Sequence, residues 1–247
     1  MSFDPFQNQG PVERVNYATG MMLSADDFRA EQSYHRNRLA QVLRIALGKG
    51  TLAGLAVESA QGRPNPVKDA DNYTVFVRPG LAIDGLGQLI EVTRDYSISL
   101  KRWVESNAEL VSANINGDSL IIDIMLSARD IGRAKTPSFA DGPLDALDSI
   151  TASRLEDGFL LELVPQKSDA QPPVPAAPPS KPLDQVLKGW SATTASTLIA
   201  NQKILLARIH SCKVKLVGSI FTVQSPQNIV VDNDVRPFIF LAGRSST

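Results

Sequence analysis

A chain of 247 residues with 43% hydrophobic side chains is long enough to bury a substantial core. Its formal net charge of -1 gives no bulk electrostatic attraction to nucleic acid or an anionic membrane, and a single cysteine, Cys212, excludes an internal disulfide framework. The opening MSFDPFQNQGPVERV has neither a basic start nor an apolar run, so no signal peptide is read there, and no stretch reaches the roughly 18 apolar residues of a membrane helix.

Residues 1–15, with Pro5 and Pro11, read as an extended arm, and Val15 to Leu23 as a short strand. From Gly20 to Gly50 the strongest periodic signal predicts one amphipathic helix over residues 25–47. Ser24 and Asp27 supply a capping box, and Asp26 and Asp27 sit at the positive end of the helix dipole. Phe28, Gln32, Leu39, Val42, Leu43, Ala46 and Leu47 recur mostly at three- and four-residue steps, while Arg29, Glu31, Arg36 and Arg38 decorate the rest, and Gly48 and Gly50 stop the helix. Such a stripe needs cover, so the strands that follow are expected to pack against it.

Thr51 to Ser59 reads as one buried strand with Gly54 at a close approach, and Gln61 to Asn72 as a loop. Tyr73 to Val92 predicts antiparallel pairing, with Asp84-Gly85 and Gly87 tolerating positive φ, Gly80 and Gly85 as turn residues, and Leu81, Ile83, Leu89 and Val92 facing a core. Ser97 to Ala113 is a short helix or connector, and Asn116-Gly117 a turn. Ser119 to Ser127 predicts a strand buried on both faces, Ala128 to Ile150 a long connection, and Thr151 to Val164 a strand with a possible bend at Asp157-Gly158. Between Gln166 and Pro182 lie six of the 16 prolines, which favour a polyproline II strap. Leu183 to Trp190 and Ala195 to Ala207 read as helical or mixed, Lys203 to His210 and Val214 to Val223 as strands, and Phe238 to Leu241 closes the core. The division is an arm (1–15), a main β-rich domain (16–165), the strap (166–182), and strands completing the same domain (183–247).

No enzyme signature stands out. GLG at Gly85 to Gly87 lacks the third glycine and following helix of a dinucleotide loop, and there is no P-loop, G-x-S-x-G or H-E-x-x-H. Glu31 and His35 lie four apart on the helix and read as an ordinary side-chain pair rather than metal ligands. Asp69 with Asp71, and Asp232 with Asp234, lack the rest of a calcium loop and read as turn residues. Arg36, Arg38, Arg44 and Lys49 have no aromatic platform beside them and form a solvated face. Cys212 reads as a structural thiol in a strand. A hydrolase would have to use carboxylates such as Glu31, Asp84 or Asp157, and nothing in the sequence pairs them. No catalytic residue, metal or cofactor is assigned.

The run Asn16-Tyr17-Ala18-Thr19-Gly20-Met21-Met22-Leu23-Ser24-Ala25-Asp26-Asp27-Phe28, followed by Glu31-Gln32 and Tyr34-His35, resembles the N-terminal signature of a family associated with phage-like contractile tails and injection systems. Gly54-Leu55-Ala56-Val57, the stretch from Val77 to Gly87, Arg154 to Phe159, Leu205 to Ile209, Asp232-Asn233 and Arg236-Pro237 follow in the same order. The first run is also similar to the β-rich shoulder of the type VI secretion baseplate subunit that connects to the membrane complex.

The reading is therefore a β-rich α+β protein, an antiparallel sandwich-like domain with one long N-terminal helix. The resemblance implies a structural subunit, made in the cytoplasm and built into a phage tail, virion or injection particle, that contacts other baseplate proteins and itself; the charge balance and the lack of a long apolar stretch give no expectation of nucleic acid or membrane insertion. Ser24 and Asp27 as helix cap, Phe28, Gly80 and Gly85 as turns, and Arg236-Pro237 as an extended closing segment are the expected structural or interface residues. The alternative is a module that anchors a tail fibre or binds a receptor carbohydrate.

Overall fold

The computed structural model describes residues 13–62, 73–137, 150–167, 202–218, 220–224 and 229–239. The expected arm up to residue 12, most of the loop 61–72, and the strap and mixed segment from residue 168 to 201 lie outside these residues. The described chain is β-rich α+β with antiparallel sheets, as the sequence suggests.

Helix α1 spans Ala25–Ala46 and ends as expected: Gly48 takes φ 76°, and its N–H bonds to the carbonyl of Arg44 at 3.1 Å. Among the described residues no strand precedes it; Thr19 and Gly20 form a turn instead. The apolar run after Gly50 is two strands, β1 (Gly50–Gly54) and β2 (Val57–Ser59), in different sheets. Gly54 and Leu55 both take positive φ, 66° and 59°, which turns the chain between them. Leucine rarely accepts that conformation, and here its fully buried side chain holds it there.

The predicted Tyr73 to Val92 unit is likewise divided. β3 (Thr74–Val77) pairs with β2 and with β6 (Tyr96–Ser99), while β4 (Gly80–Ile83) pairs with β5 (Leu89–Val92) and β1. Within the β4–β5 hairpin Ile83, Ile90 and Val92 are buried, whereas Leu89, expected inward, is 53% exposed because the alternation turns it out. The connector after β6 is two short helices, α2 (Leu100–Ser106) and α3 (Ala108–Asn114), which bury Leu100, Val104 and Val111.

The largest sheet is built on β7 (Ser119–Pro137), β8 (Ile150–Gln166) and β9 (Ile204–Val217). β9 carries β7 on one edge, and β10 (Ile220–Val223) and β11 (Val230–Asp232) one after the other along the opposite edge. The expected single strand from Val214 to Val223 is a hairpin, turned at Gly218 with φ 65°. Leu120, Ile122, Ile124 and Leu126 alternate into one face of β7 and are fully buried, as are Ile204, Leu206 and Ile209 of β9. Each such side chain contributes ~2 kcal/mol by leaving water. These residues form one core with Val57, Val75, Val77, Ile90 and Val92, so the three sheets share a single interior.

On the other face of β7, Asp123 stands opposite Arg208 of β9. Arg208 Nε and Nη2 donate to the two Asp123 carboxylate oxygens at 2.6 and 2.9 Å, and both residues are buried. The β7–β9 ladder shifts register on both sides of this pair, between Leu120 and Ile122 and between Ile124 and Met125. The bidentate contact therefore fixes the register in the stretch between two irregularities.

The described part of the expected long connection from Ala128 to Ile150, residues 128–137 and 150, is strand, and residues 138–149 lie outside the described residues. β7 and β8 stay paired from Ser127 with Leu160 out to Pro137 with Ile150, beyond the last pairing of β7 with β9 at Leu126. From Arg129 to Pro137 this two-stranded ribbon is ~27 Å long. Gly158 does not bend β8. It leaves room for Ile131, whose Cδ1 lies 2.4 Å from where a Cβ would stand.

Asp123→Ala removes the bidentate partner of a buried guanidinium. We expect a loss of about 3–5 kcal/mol in urea unfolding, largely recovered in the double variant Asp123→Leu/Arg208→Met.

Candidate functional site

The N-terminus of α1 is organised as the sequence predicts. Ser24 Oγ accepts from the N–H of Asp27 at 3.3 Å, and Asp27 Oδ2 accepts from the N–H of Ser24 at 2.7 Å. The Ser24 backbone N–H and hydroxyl, which both donate to Oδ2, hold the Asp27 carboxyl below its ordinary range. Phe28, one residue on, is 51% exposed.

The expectation that strands cover the apolar stripe of α1 is overturned. Ala40 is the one buried residue of the helix, flanked on its own face by half-buried Ser33, Asn37 and Arg44. Most of the stripe lies on the opposite side, with Leu39 61% and Val42 62% exposed, while Leu43 and Leu47 at its edge are half-buried. The physical reason is the small side chain of Ala40 at the point of contact, which lets the helix backbone come close to the β4–β5 turn. A Cβ on Gly87 would stand 1.9 Å from the carbonyl oxygen of Ala40.

Of the described glycines, Gly87 in that turn stands nearest to a neighbouring backbone. The N–H of Gly87 donates to the carbonyl of Asp84, and the positive φ falls on Gly87 at 85°, not on Gly85, which occupies an ordinary turn position. Gly80, by contrast, is not a turn residue. It pairs with Gly54, and a Cβ there would meet the carbonyl oxygen of Ala53 at 2.3 Å, so its requirement is close strand approach.

Asp84 Oδ1 accepts from the N–H groups of Leu86 and Gln88 at 2.9 and 2.8 Å, while the buried Oδ2 has no hydrogen-bond partner among the described residues. Burial pushes the Asp84 carboxyl up to about 6, against the pull of these amides and of Lys49. Desolvation also lowers Lys49, whose charge interacts with Asp84.

A second constellation closes the fold. Asn233 behaves as a piece of strand: Oδ1 accepts from the N–H of Val57 and Nδ2 donates to its carbonyl, both at 2.9 Å. Arg236 is buried and donates to the Asn233 side chain, to the Asn233 carbonyl at 3.1 Å and to the Gly54 carbonyl at 3.2 Å, with its guanidinium 5.5 Å from the Phe238 ring. Desolvation lowers the pKa of Arg236. The Pro237 carbonyl accepts from the N–H of Thr51 at 2.8 Å, and the Thr51 carbonyl accepts from the N–H of Ile239 at 2.9 Å. The extended closing segment is thus a latch across β1 and β2.

The sequence-predicted carboxylates do not converge. Glu31, on α1, accepts from the Tyr17 hydroxyl; Asp84 is in the β4–β5 turn; Asp157 is exposed on the distal ribbon. His35 packs edge-on against Tyr34 rather than pairing with Glu31. Asp232 Oδ1 accepts from the N–H of Asp234, a turn bond as expected, whereas Asp69 and Asp71 lie outside the described residues. Cys212 is buried in β9, and burial pushes its thiol up to about 12. Among the described residues no group of three or more His, Cys, Asp or Glu side chains is arranged to hold a metal. Nor is any described helix long and apolar enough to cross a membrane.

The geometry that remains on the surface is an outward-facing helix stripe and a polar ribbon. Along the ribbon Arg133 pairs with Glu156, Ala134 takes φ 48° where the ladder skips a residue, and Leu155 is 68% exposed. No protein-family model matches the chain, and no curated protein matches it.

Gly87→Ala forces a side chain into the Ala40 carbonyl at a positive φ, and a loss of at least ~2 kcal/mol is expected in thermal unfolding. For Asp84 the folded carboxyl titrates above the unfolded one. Its stabilising share is therefore fully present below about 3.8 and is lost as pH rises through about 6. That difference corresponds to something on the order of 3 kcal/mol. Asp84→Asn keeps the acceptor for both amides, so unfolding free energies measured from pH 4 to pH 7 should lose this slope.

Proposed function

We propose that this chain is a structural subunit of a phage-like contractile tail or injection-machine baseplate, joining neighbouring subunits within the particle. The observation that carries the reading is the ribbon of β7 and β8, which leaves the core and presents exposed side chains on a two-stranded support. An isolated two-stranded ribbon is marginal in water, so ~27 Å of it is an expensive feature for a protein that acts alone and a useful one for a subunit gripping a neighbour. The ordered resemblance from the Asn16 run to Arg236-Pro237 supplies the particular assembly. The latch of Asn233 and Arg236 and the capped helix fit the same role, since each is a rigid support for surface rather than a reaction centre.

The test is co-expression of the full chain with the products of adjacent genes, followed by affinity capture and identification of what elutes. Co-elution with a tail or sheath protein is the expected result. A chain that ignores every neighbour but binds a glycan array would instead support the tail-fibre or carbohydrate-binding alternative. Leu155→Arg, at an exposed position of the ribbon, is expected to leave the melting temperature unchanged while reducing the captured partner several-fold.

A further inference from the structure

The exposed side of α1 has a spacing of its own. Phe28, Gln32, His35, Leu39, Val42 and Ala46 are separated by four, three, four, three and four residues, a 3.5-residue repeat, and all six are exposed. A helix that only covers its own domain turns such a seam inward and its polar side outward. Here the arrangement is reversed, with Ser33, Asn37, Ala40 and Arg44 toward the body and the seam toward solvent. A 3.5-residue repeat matches a second helix packed alongside in a left-handed supercoil, since 3.6 residues per turn would drift away from a straight contact line.

The charges beside the seam choose the partner. Taking Gln32, Leu39 and Ala46 as heptad position a and Phe28, His35 and Val42 as d, Glu31 falls at g and Arg36 at the following e. In a parallel pair of identical helices Glu31 of each copy faces Arg36 of the other, and Gln32 faces its own counterpart at an a position, where two side-chain amides can bond. An antiparallel pair would also set Glu31 against Arg38, but it would bring Arg29 against Arg36. Glu31 accepts one hydrogen bond from Tyr17 and, as a carboxylate, retains further acceptor sites. The sequence thus complements itself in one orientation.

We propose that α1 is a self-association surface, on which a second copy of this chain packs its own α1 in parallel through the seam from Phe28 to Ala46. The inference does not depend on the tail reading, because it concerns the purified chain alone. Its apolar anchors are Phe28, Leu39 and Val42, with Ile45, 56% exposed, widening the contact toward the helix C-terminus.

Sedimentation equilibrium on the full chain tests it. The wild type should show a concentration-dependent oligomer, and Leu39→Glu, at a solvent-facing position, should raise the dissociation constant more than ~10-fold with an unchanged circular dichroism spectrum. Glu31→Arg and Arg36→Glu should each weaken association, and the double reversal Glu31→Arg/Arg36→Glu should restore it. A chain that stays monomeric at its highest soluble concentration overturns the proposal. So does an oligomer indifferent to Leu39→Glu, or a double reversal no better than the singles.

Discussion

The fold depends on the register between β7 and β9, and Asp123 with Arg208 holds it. Two charges removed from water form a bidentate contact that tolerates no slip of one residue, whereas the leucines and isoleucines around them would pack in several registers. Asp232 of β11 stands beside Arg208 on its other side and helps keep the guanidinium charged, so an acid, a base and an acid lie across three adjacent strands. Everything else is placed from that sheet. β8 extends the ribbon from β7, and β11 delivers Asn233 to β2.

The two smaller sheets are separated by a single corner, and the corner is made by a conformational compromise. Gly54 takes its left-handed conformation freely, but Leu55 does so only because its side chain is fully enclosed by the shared core. Beneath α1 a similar exchange occurs at the Asp84 turn, where a carboxylate that organises two amides is left with one oxygen unpartnered among the described residues. Both positions trade local comfort for a fixed approach between elements. The first separates β1 from β2, and the second seats the helix on the hairpin.

Much of this was legible in the residues. The Ser24 and Asp27 cap, the glycine stop of α1, the Asn116-Gly117 turn, the buried strand beginning at Ser119 and the burial of Cys212 follow from local chemistry that the tertiary fold had no reason to override. The direction of α1 was not legible, because periodicity reports that a helix has two faces and is silent on which one meets its own domain. The extent of β7 and β8 was missed because exposed ribbon strands carry polar residues, glycine and no inward alternation, the same composition as a loop. The Asp123 and Arg208 pair did leave a signal: one acid inside LIIDIML and one base inside ILLARI, each a lone charge within an apolar strand. The Asn233 bridge left none, since an asparagine completing a distant strand looks like any other turn residue.

The latch also sets an order of events. The Thr51 backbone bonds to the backbone of Pro237 and Ile239, and the Val57 backbone to the Asn233 side chain, across separations of 176 residues and more. Contacts that close so long a loop form late, and sheets that depend on them are slow to complete. During synthesis β1 and β2 would leave the ribosome long before the segment that seals them, with Leu55 and Val57 unprotected in the interval. A chain built this way completes these sheets only after residues 233–239 emerge, and a cell that makes it in quantity has reason to shield the unfinished sheet until then.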